Sequence, residues 1–119
     1  MAAIAVFTKV SGGEGGGGRM KDELFDLTFV TDGVNANYTV GGIALAPRQA
    51  GGFVSVLSIA PVGHANSAGT AVTDLFILSW DYKRSVLQLF ADAVGGSGLS
   101  ELGAVSIATL TFRVRIVGN

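Results

Sequence analysis

"TLTFRVRIVG", residues 109–118, decides the fold class, because its side chains alternate between apolar and polar with a period of two. This period is typical of a β-strand that turns one face to a core and the other face away from it. We therefore predict a strand with one buried face and one face that meets either solvent or a partner. The apolar positions are Leu110, Phe112, Val114 and Ile116, and the polar positions are Thr111, Arg113 and Arg115.

A β-hairpin is predicted upstream, in "LFILSWDYKRSVLQLFA" at residues 75–91. Phe76, Leu78 and Trp80 share one face of its first strand, and a polar turn separates that strand from the second. Ile77, on the opposite face, is apolar as well. Because a strand with two apolar faces is typical of the interior of a sheet, we predict that this strand is central.

The other apolar segments are short, rich in β-branched and aromatic residues, and punctuated by many of the 18 glycines. Residues 19–30 have apolar spacings that fit either a helix or a strand, and the turn "TDG" that follows favours a strand. Short strands are also predicted at residues 3–10 and 37–45. Another begins near residue 53, and Pro61 is expected to end it.

Seven or eight short strands at this spacing predict an all-β fold, either an antiparallel β-sandwich or a small jelly-roll-like barrel. A chain of 119 residues fits a single β domain that spans residues 1–119. Within it, the glycine-rich residues 11–19 are predicted to form a flexible loop.

The composition narrows the classes of function. The net charge is −1 with 14% charged residues, so we expect no nucleic-acid partner, and the apolar runs are too interrupted for a membrane partner. There is no cysteine, which removes thiolate nucleophiles and cysteine-ligated zinc. The hydrophobic content of 49% is high for a small domain with so little charge, which favours self-association.

The glycine run contains a match to the dinucleotide-binding pattern G-x-G-x-x-G at Gly13, Gly15 and Gly18. Six glycines in seven positions match this pattern by accident, and the helix that the motif requires is not clearly predicted. The phosphate-loop pattern fails, because Arg19 and Met20 occupy the places of its lysine and hydroxyl residue. We therefore expect a flexible loop and no cofactor.

No constellation of catalytic residues is visible. His64 is the only histidine, and nothing in the sequence selects a serine and an acid to act with it. Asp74, Asp81 and Asp92 are spread over different strand ends, which does not fit a metal site. We therefore expect a protein that is not an enzyme and holds no metal ion.

Candidate contact residues lie at both ends of the chain. Ile4 and Val6 share a face of the N-terminal strand, and Arg19 is the last residue of the glycine-rich loop. Arg113 and Arg115 share a face of the last strand, where they either meet solvent or pair with carboxylates on a neighbouring subunit. These five residues are our candidates for partner contact.

Three aromatic residues are candidates for stacking against a ligand such as a sugar. Trp80 and Tyr82 adjoin the hairpin turn, and Tyr38 lies in an earlier segment. Packing in the core and in the hairpin is the alternative role for Trp80 and Tyr82.

Three stretches together resemble the small structural proteins of tailed bacteriophage virions, the group that includes capsid decoration or cement proteins. They are "YTVGGIALAP" at 38–47, "LFILSWDYKRSVLQLF" at 75–90 and "TFRVRIVGN" at 111–119. The resemblance implies an all-β module, a homotrimer, that is made in the host cytoplasm and sits on the capsid surface of the virion. There it would tie neighbouring subunits of the major capsid protein together.

Two other functions stay open at this point. One is a phage tail or fibre module that binds glycans through Trp80, Tyr82 and Tyr38. The other is a nucleotide-dependent enzyme that uses the glycine loop.

Overall fold

The computed structural model describes residues 2–10, 20–64, 76–92 and 99–119. Within these ranges the chain forms β-strands and no helix, and the strands build two antiparallel sheets. The predicted all-β fold is confirmed, in the form of a β-sandwich. The strands are β1 (Ile4–Lys9), β2 (Lys21–Val30), β3 (Ile43–Ala44), β4 (Val56–His64), β5 (Phe76–Asp81), β6 (Val86–Asp92), β7 (Leu99–Glu101) and β8 (Thr111–Gly118).

The first sheet has the strand order β1-β2-β8-β4. Its strand β8 is the stretch whose period of two predicted a strand, and Phe112, Val114 and Ile116 are buried as predicted. β8 pairs with β2 along one edge and with β4 along the other. The most regular strand of the sequence is thus an interior strand of this sheet.

The segment that fitted either a helix or a strand is the strand β2. Phe25, Leu27 and Phe29 are all buried, and they follow one another at a spacing of two residues. Only an extended backbone turns side chains at that spacing to the same side. A helix would leave at least one of these three side chains outside the core, so the segment forms a strand.

The strand β1 also alternates, and its first core-facing residue, Ala5, is small, as is Ala3 just before the strand. Ala3 and Ala5 are buried, whereas Ile4 and Val6 are exposed on the opposite face. Phe7, the next residue on the inner face after Ala5, packs partly buried against the core.

The strand β4 continues through Pro61 to His64, so the prediction that Pro61 ends this strand is wrong. β4 is an edge strand of the first sheet, and an edge tolerates a residue that has no N–H to donate. Its pairing with β8 shifts between Val56 and Ser58 and again between Pro61 and Gly63, so the strand passes the proline with an irregular register.

In the second sheet the strand order is β3-β6-β5, and β7 also pairs with β6. The predicted hairpin is confirmed as β5 and β6. Among the described strands β5 lies at an edge of this sheet and β6 is the interior strand, which contradicts the prediction that the first strand of the hairpin is central. Leu87 and Leu89 of β6 are fully buried, whereas Ile77 of β5 is 48% exposed. An apolar outward face therefore marks an exposed surface here.

The segment at residues 37–45 is less extended than predicted. Its regular strand is only Ile43–Ala44, and Asn37 makes an isolated bridge with Ser106.

A single apolar cluster fills the space between the two sheets. Leu27 and Val114 from the first sheet and Leu87 and Leu89 from the second are fully buried. Tyr38, from the connection between β2 and β3, is 1% exposed within the same cluster. The core therefore depends on both sheets and on a connecting segment.

Candidate functional site

Two arginine–carboxylate pairs cross the outer face of the first sheet, the face turned away from the core. Arg113 lies opposite Asp26 in the antiparallel pairing of β2 and β8. Its Nε donates to Asp26 Oδ1 at 3.0 Å, and its Nη2 donates to Asp26 Oδ2 at 3.4 Å. Arg115 donates in the same two-pronged way to Asp22, with 2.7 Å between Arg115 Nε and Asp22 Oδ1.

Both arginines thus pair with carboxylates on the neighbouring strand of the same chain. The hydrogen bond from Arg115 lowers the pKa of Asp22 below its usual value. All four side chains are partly exposed, so solvent screens each pair and its contribution to stability is small. The pairs leave other guanidinium N–H groups available to a partner.

An apolar corner, which we define as Ile4, Val6 and Val30, adjoins these ion pairs on the outer face. Ile4 lies opposite Val30, and Val6 follows Ile4 on the same face of β1. The three side chains are exposed by 43%, 37% and 43%, respectively. The two predicted contact residues Ile4 and Val6 therefore lie together on an accessible surface. Arg19, the fifth candidate, lies outside the described residues.

The free edge of β1 is partly covered by other segments. The backbone N–H of Ala3 donates to the carbonyl of Asn37 at 2.8 Å, and Gln49 Nε2 donates to the carbonyl of Ala5 at 3.0 Å. These hydrogen bonds occupy groups that an added strand would need. A partner at this corner would therefore meet the face of the sheet more readily than its edge.

A second accessible feature is a cavity of about 330 Å³ between residues 45–56 and the hairpin turn. Both Trp80 and Tyr82 line it, so the structure brings these two candidate stacking residues together. Tyr82 is 60% exposed, and Trp80 is partly buried against the core.

Tyr38 does not belong to this cavity, so its assignment as a third stacking residue is wrong. Its hydroxyl donates to Glu101 Oε2 at 2.6 Å and accepts from the backbone N–H of Leu89 at 3.3 Å. Burial raises the pKa of Tyr38 above its usual value, and the hydrogen bond to Glu101 adds to the effect. Tyr38 is a buried residue whose hydroxyl connects its own segment to β7 and β6 by hydrogen bonds.

Arg48 also lines the cavity, and our reading of the sequence did not select it. The available signal was weak, since a single cation in the Pro- and Gly-rich segment 46–52 is typical of any surface loop. Only the tertiary structure places this loop beside Trp80.

Candidate catalytic and metal-ligating residues are mostly scattered or outside the described residues. His64 ends β4, where its backbone pairs with Phe112. Asp81 accepts from Arg84 Nε at 2.7 Å and from backbone N–H groups of its turn. Asp74 and the glycine pattern at residues 11–19 are not described, and Asp92 ends β6. The described residues contain no cluster of three or more His, Cys, Asp or Glu side chains suited to a metal ion.

No helix long and apolar enough to cross a membrane occurs in the described part of the chain. Comparison with known proteins identifies no relative: no family model, no curated protein and no solved structure matches this chain.

Proposed function

We propose that the chain is a structural protein of a tailed phage virion that decorates the capsid surface. In this role it forms a homotrimer and bridges neighbouring subunits of the major capsid protein, without catalysis and without a cofactor. The observation that carries the proposal is the exposed apolar corner of Ile4, Val6 and Val30 beside the arginine–carboxylate pairs. The sequence resemblance to decoration proteins supplies the identity of the larger partner.

The chemistry of this outer face suits contact with another protein. Each side chain of the apolar corner is partly covered already, so full burial would contribute on the order of 1 kcal/mol per residue. The neighbouring pairs, Arg113 with Asp26 and Arg115 with Asp22, supply polar groups at the rim of such a contact. An apolar centre with a polar rim is the usual arrangement of protein interfaces.

A capsid repeats the same binding surface many times, which suits a small protein with weak individual contacts. Once one subunit of a trimer has bound, the other subunits meet their own sites at a high effective concentration. Modest contacts on each copy then add up to stable attachment.

Substitution of the apolar corner tests the self-association. We expect Ile4→Glu and Val6→Glu each to weaken association at least about tenfold, because each places a charge in a surface that must become dry. Light scattering coupled to size-exclusion chromatography over a range of concentrations measures the effect. Val40→Glu is the matched control, since Val40 is 62% exposed in a turn between β2 and β3.

A wild-type chain that is monomeric at every concentration would contradict the trimer. The capsid partner is tested separately, by mixing the labelled chain with undecorated heads of a tailed phage whose genome encodes it. Co-sedimentation with the heads is expected, and its absence would contradict the capsid role even if the trimer forms.

A further inference from the structure

The cavity beside the hairpin turn has the size and lining of a binding site for a small polar molecule. Its volume of about 330 Å³ lies near the lower end of the range of ligand pockets, roughly 300–1,000 Å³. Ala50 and Phe53 contribute buried apolar surface, and Ser55 and Ser85 contribute hydroxyl groups. An apolar surface with a few hydrogen-bonding groups around it is what a sugar ring requires.

Two aromatic side chains line this cavity, Trp80 and Tyr82. Such rings offer a flat apolar face together with a polar tip. A pyranose ring has the complementary character, because its C–H groups form an apolar patch and its hydroxyl groups surround that patch.

Trp80 also carries a buried hydrogen-bond donor. Its indole Nε1 is buried and has no acceptor among the described residues. Buried donors of this kind nearly always have a partner in the protein or in ordered water.

Backbone strain is concentrated at the same cavity. In the described part of the chain, Arg48 and Ser85 are the non-glycine residues with a left-handed backbone, with φ values of 66° and 55°. Both line the cavity. Side chains other than glycine rarely adopt this conformation, and residues held in it are concentrated at ligand-binding and catalytic sites.

The charged side chain that lines the cavity is a cation, Arg48. Arg48 is exposed, and none of the ion pairs found between described residues involves its guanidinium. Asp81, at the end of β5, is already paired with Arg84. An unpaired guanidinium can bind a carboxylate through two parallel hydrogen bonds, so the cavity is suited to an anionic ligand.

We propose that this cavity binds a carbohydrate that carries a carboxylate group, such as a uronic acid. The sugar ring packs against Trp80 and Tyr82, and Arg48 binds the carboxylate. This role is independent of the capsid contact through the apolar corner, because the two sites share no residue.

The test uses the single tryptophan as a local probe, because one indole N–H gives one resonance in a ¹H–¹⁵N spectrum. Glucuronate is titrated into the full chain, and glucose is titrated as the matched neutral sugar. We expect glucuronate to shift the indole resonance with saturation, and glucose to bind about tenfold more weakly because it lacks the charged contact.

Three variants separate the contributions. Arg48→Gln is expected to reduce glucuronate affinity to that of glucose, and Tyr82→Ala to weaken both sugars by about 2- to 10-fold. Lys83→Gln is the matched control. Lys83 is an exposed cation in the hairpin turn next to Tyr82, and it does not line the cavity. Its affinities should equal those of the wild type. Amide dispersion in the same spectra verifies that each variant is folded.

Several results would overturn the proposal. An indole resonance that neither sugar moves rules out a carbohydrate site. Equal binding of glucose and glucuronate, or an Arg48→Gln variant with unchanged selectivity, rules out the role of Arg48. A short glutamate-containing peptide that binds as well as glucuronate would show that the cavity takes acidic peptides instead of sugars.

Discussion

Tyr38 and Glu101 show how one polar contact joins distant parts of the chain. The Tyr38 hydroxyl and the backbone N–H of Gly41 both donate to Glu101 Oε2, at 2.6 and 2.8 Å. Glu101 belongs to β7, whereas Tyr38 and Gly41 lie between β2 and β3. Because Tyr38 is buried in the core, this carboxylate holds β7 and the connecting segment in one arrangement.

Acid should weaken this contact. The Tyr38 hydrogen bond is the main cause that lowers the pKa of Glu101 below its usual 4.5. A carboxyl group with a lowered pKa in the folded state stabilises that state above its unfolded pKa, and the contribution is lost as the pH falls through the folded pKa. We expect the free energy of unfolding to decline below about pH 4.5, measured by urea denaturation between pH 7 and pH 3.

Glu101→Gln isolates this contribution from those of other carboxylates. The pKa values of Asp32 and Asp81 are lowered as well, so the wild type has several sources of acid sensitivity. The variant keeps a side-chain acceptor but does not titrate, and its free energy of unfolding should depend less on pH. The same pH dependence in variant and wild type would contradict the assignment.

At the scale of elements, the edges of the first sheet are protected by different devices. β1 is covered by the Gln49 side chain, whose Nε2 donates to the carbonyl of Ala5 and whose Oε1 accepts from the N–H of Ala46. β4 pairs with β8 in a register that shifts twice, and its Pro61 has no N–H to donate. Edges of this kind are poor templates for the addition of another strand.

Gln49→Glu tests the protection of β1. The variant keeps an acceptor for Ala46 but loses the donor to Ala5, and it brings a negative charge near a carbonyl oxygen. We expect a loss of about 1 kcal/mol in the free energy of unfolding. Amide hydrogen exchange in β1 should become faster than in the wild type, and exchange in β8 should change less. Hydrogen exchange followed by NMR measures both strands at once.

Thr39→Glu is the control for the added charge, because Thr39 is exposed in the connection between β2 and β3. It should leave exchange in β1 unchanged. If β1 amides in Gln49→Glu exchange at the wild-type rate, Gln49 does not hold this edge.

At the scale of the whole molecule, the two sheets depend on one core. Leu27 and Val114 of the first sheet are buried in the same cluster as Leu87 and Leu89 of the second. Neither sheet can keep its inner face dry when the other is lost. We therefore expect both sheets to unfold in one cooperative transition.

Leu87→Ala tests this cooperativity, because Leu87 is fully buried in β6. We expect the free energy of unfolding to fall by about 2–5 kcal/mol. Trp80 fluorescence, which reports on the second sheet, and far-UV circular dichroism, which reports on both, should give the same midpoint. Val34→Ala, at a position that is 66% exposed, should change stability by no more than about 0.5 kcal/mol. Separate midpoints for the two probes would contradict a single core.

Strand positions were largely predictable from the sequence, because a period of two is a local property. β8, β2 and the β5–β6 hairpin all follow from alternation and turn residues within a few positions. The position of β5 in its sheet and the passage of β4 through Pro61 were predicted wrongly. Both depend on how many neighbours a strand pairs with, and alternation along one strand does not record that number.

The candidate sites divide in the same way. Exposure of Ile4 and Val6 could be expected from the alternation of β1, because one face of an edge strand commonly stays outside the core. The carboxylate partners of Arg113 and Arg115 could not be predicted from the sequence, because they depend on the register between β2 and β8. Arg48 enters the cavity only because its loop folds over the end of the hairpin.

The amino-acid sequence by itself determined the strands, the all-β class and the wealth of apolar surface, because these depend on residue type and short-range spacing. The tertiary structure alone decided which apolar faces are covered, which charges pair and which side chains share the cavity of Trp80. Those outcomes arise from contacts between residues far apart in the chain, and such contacts form only when the two sheets pack around their common core.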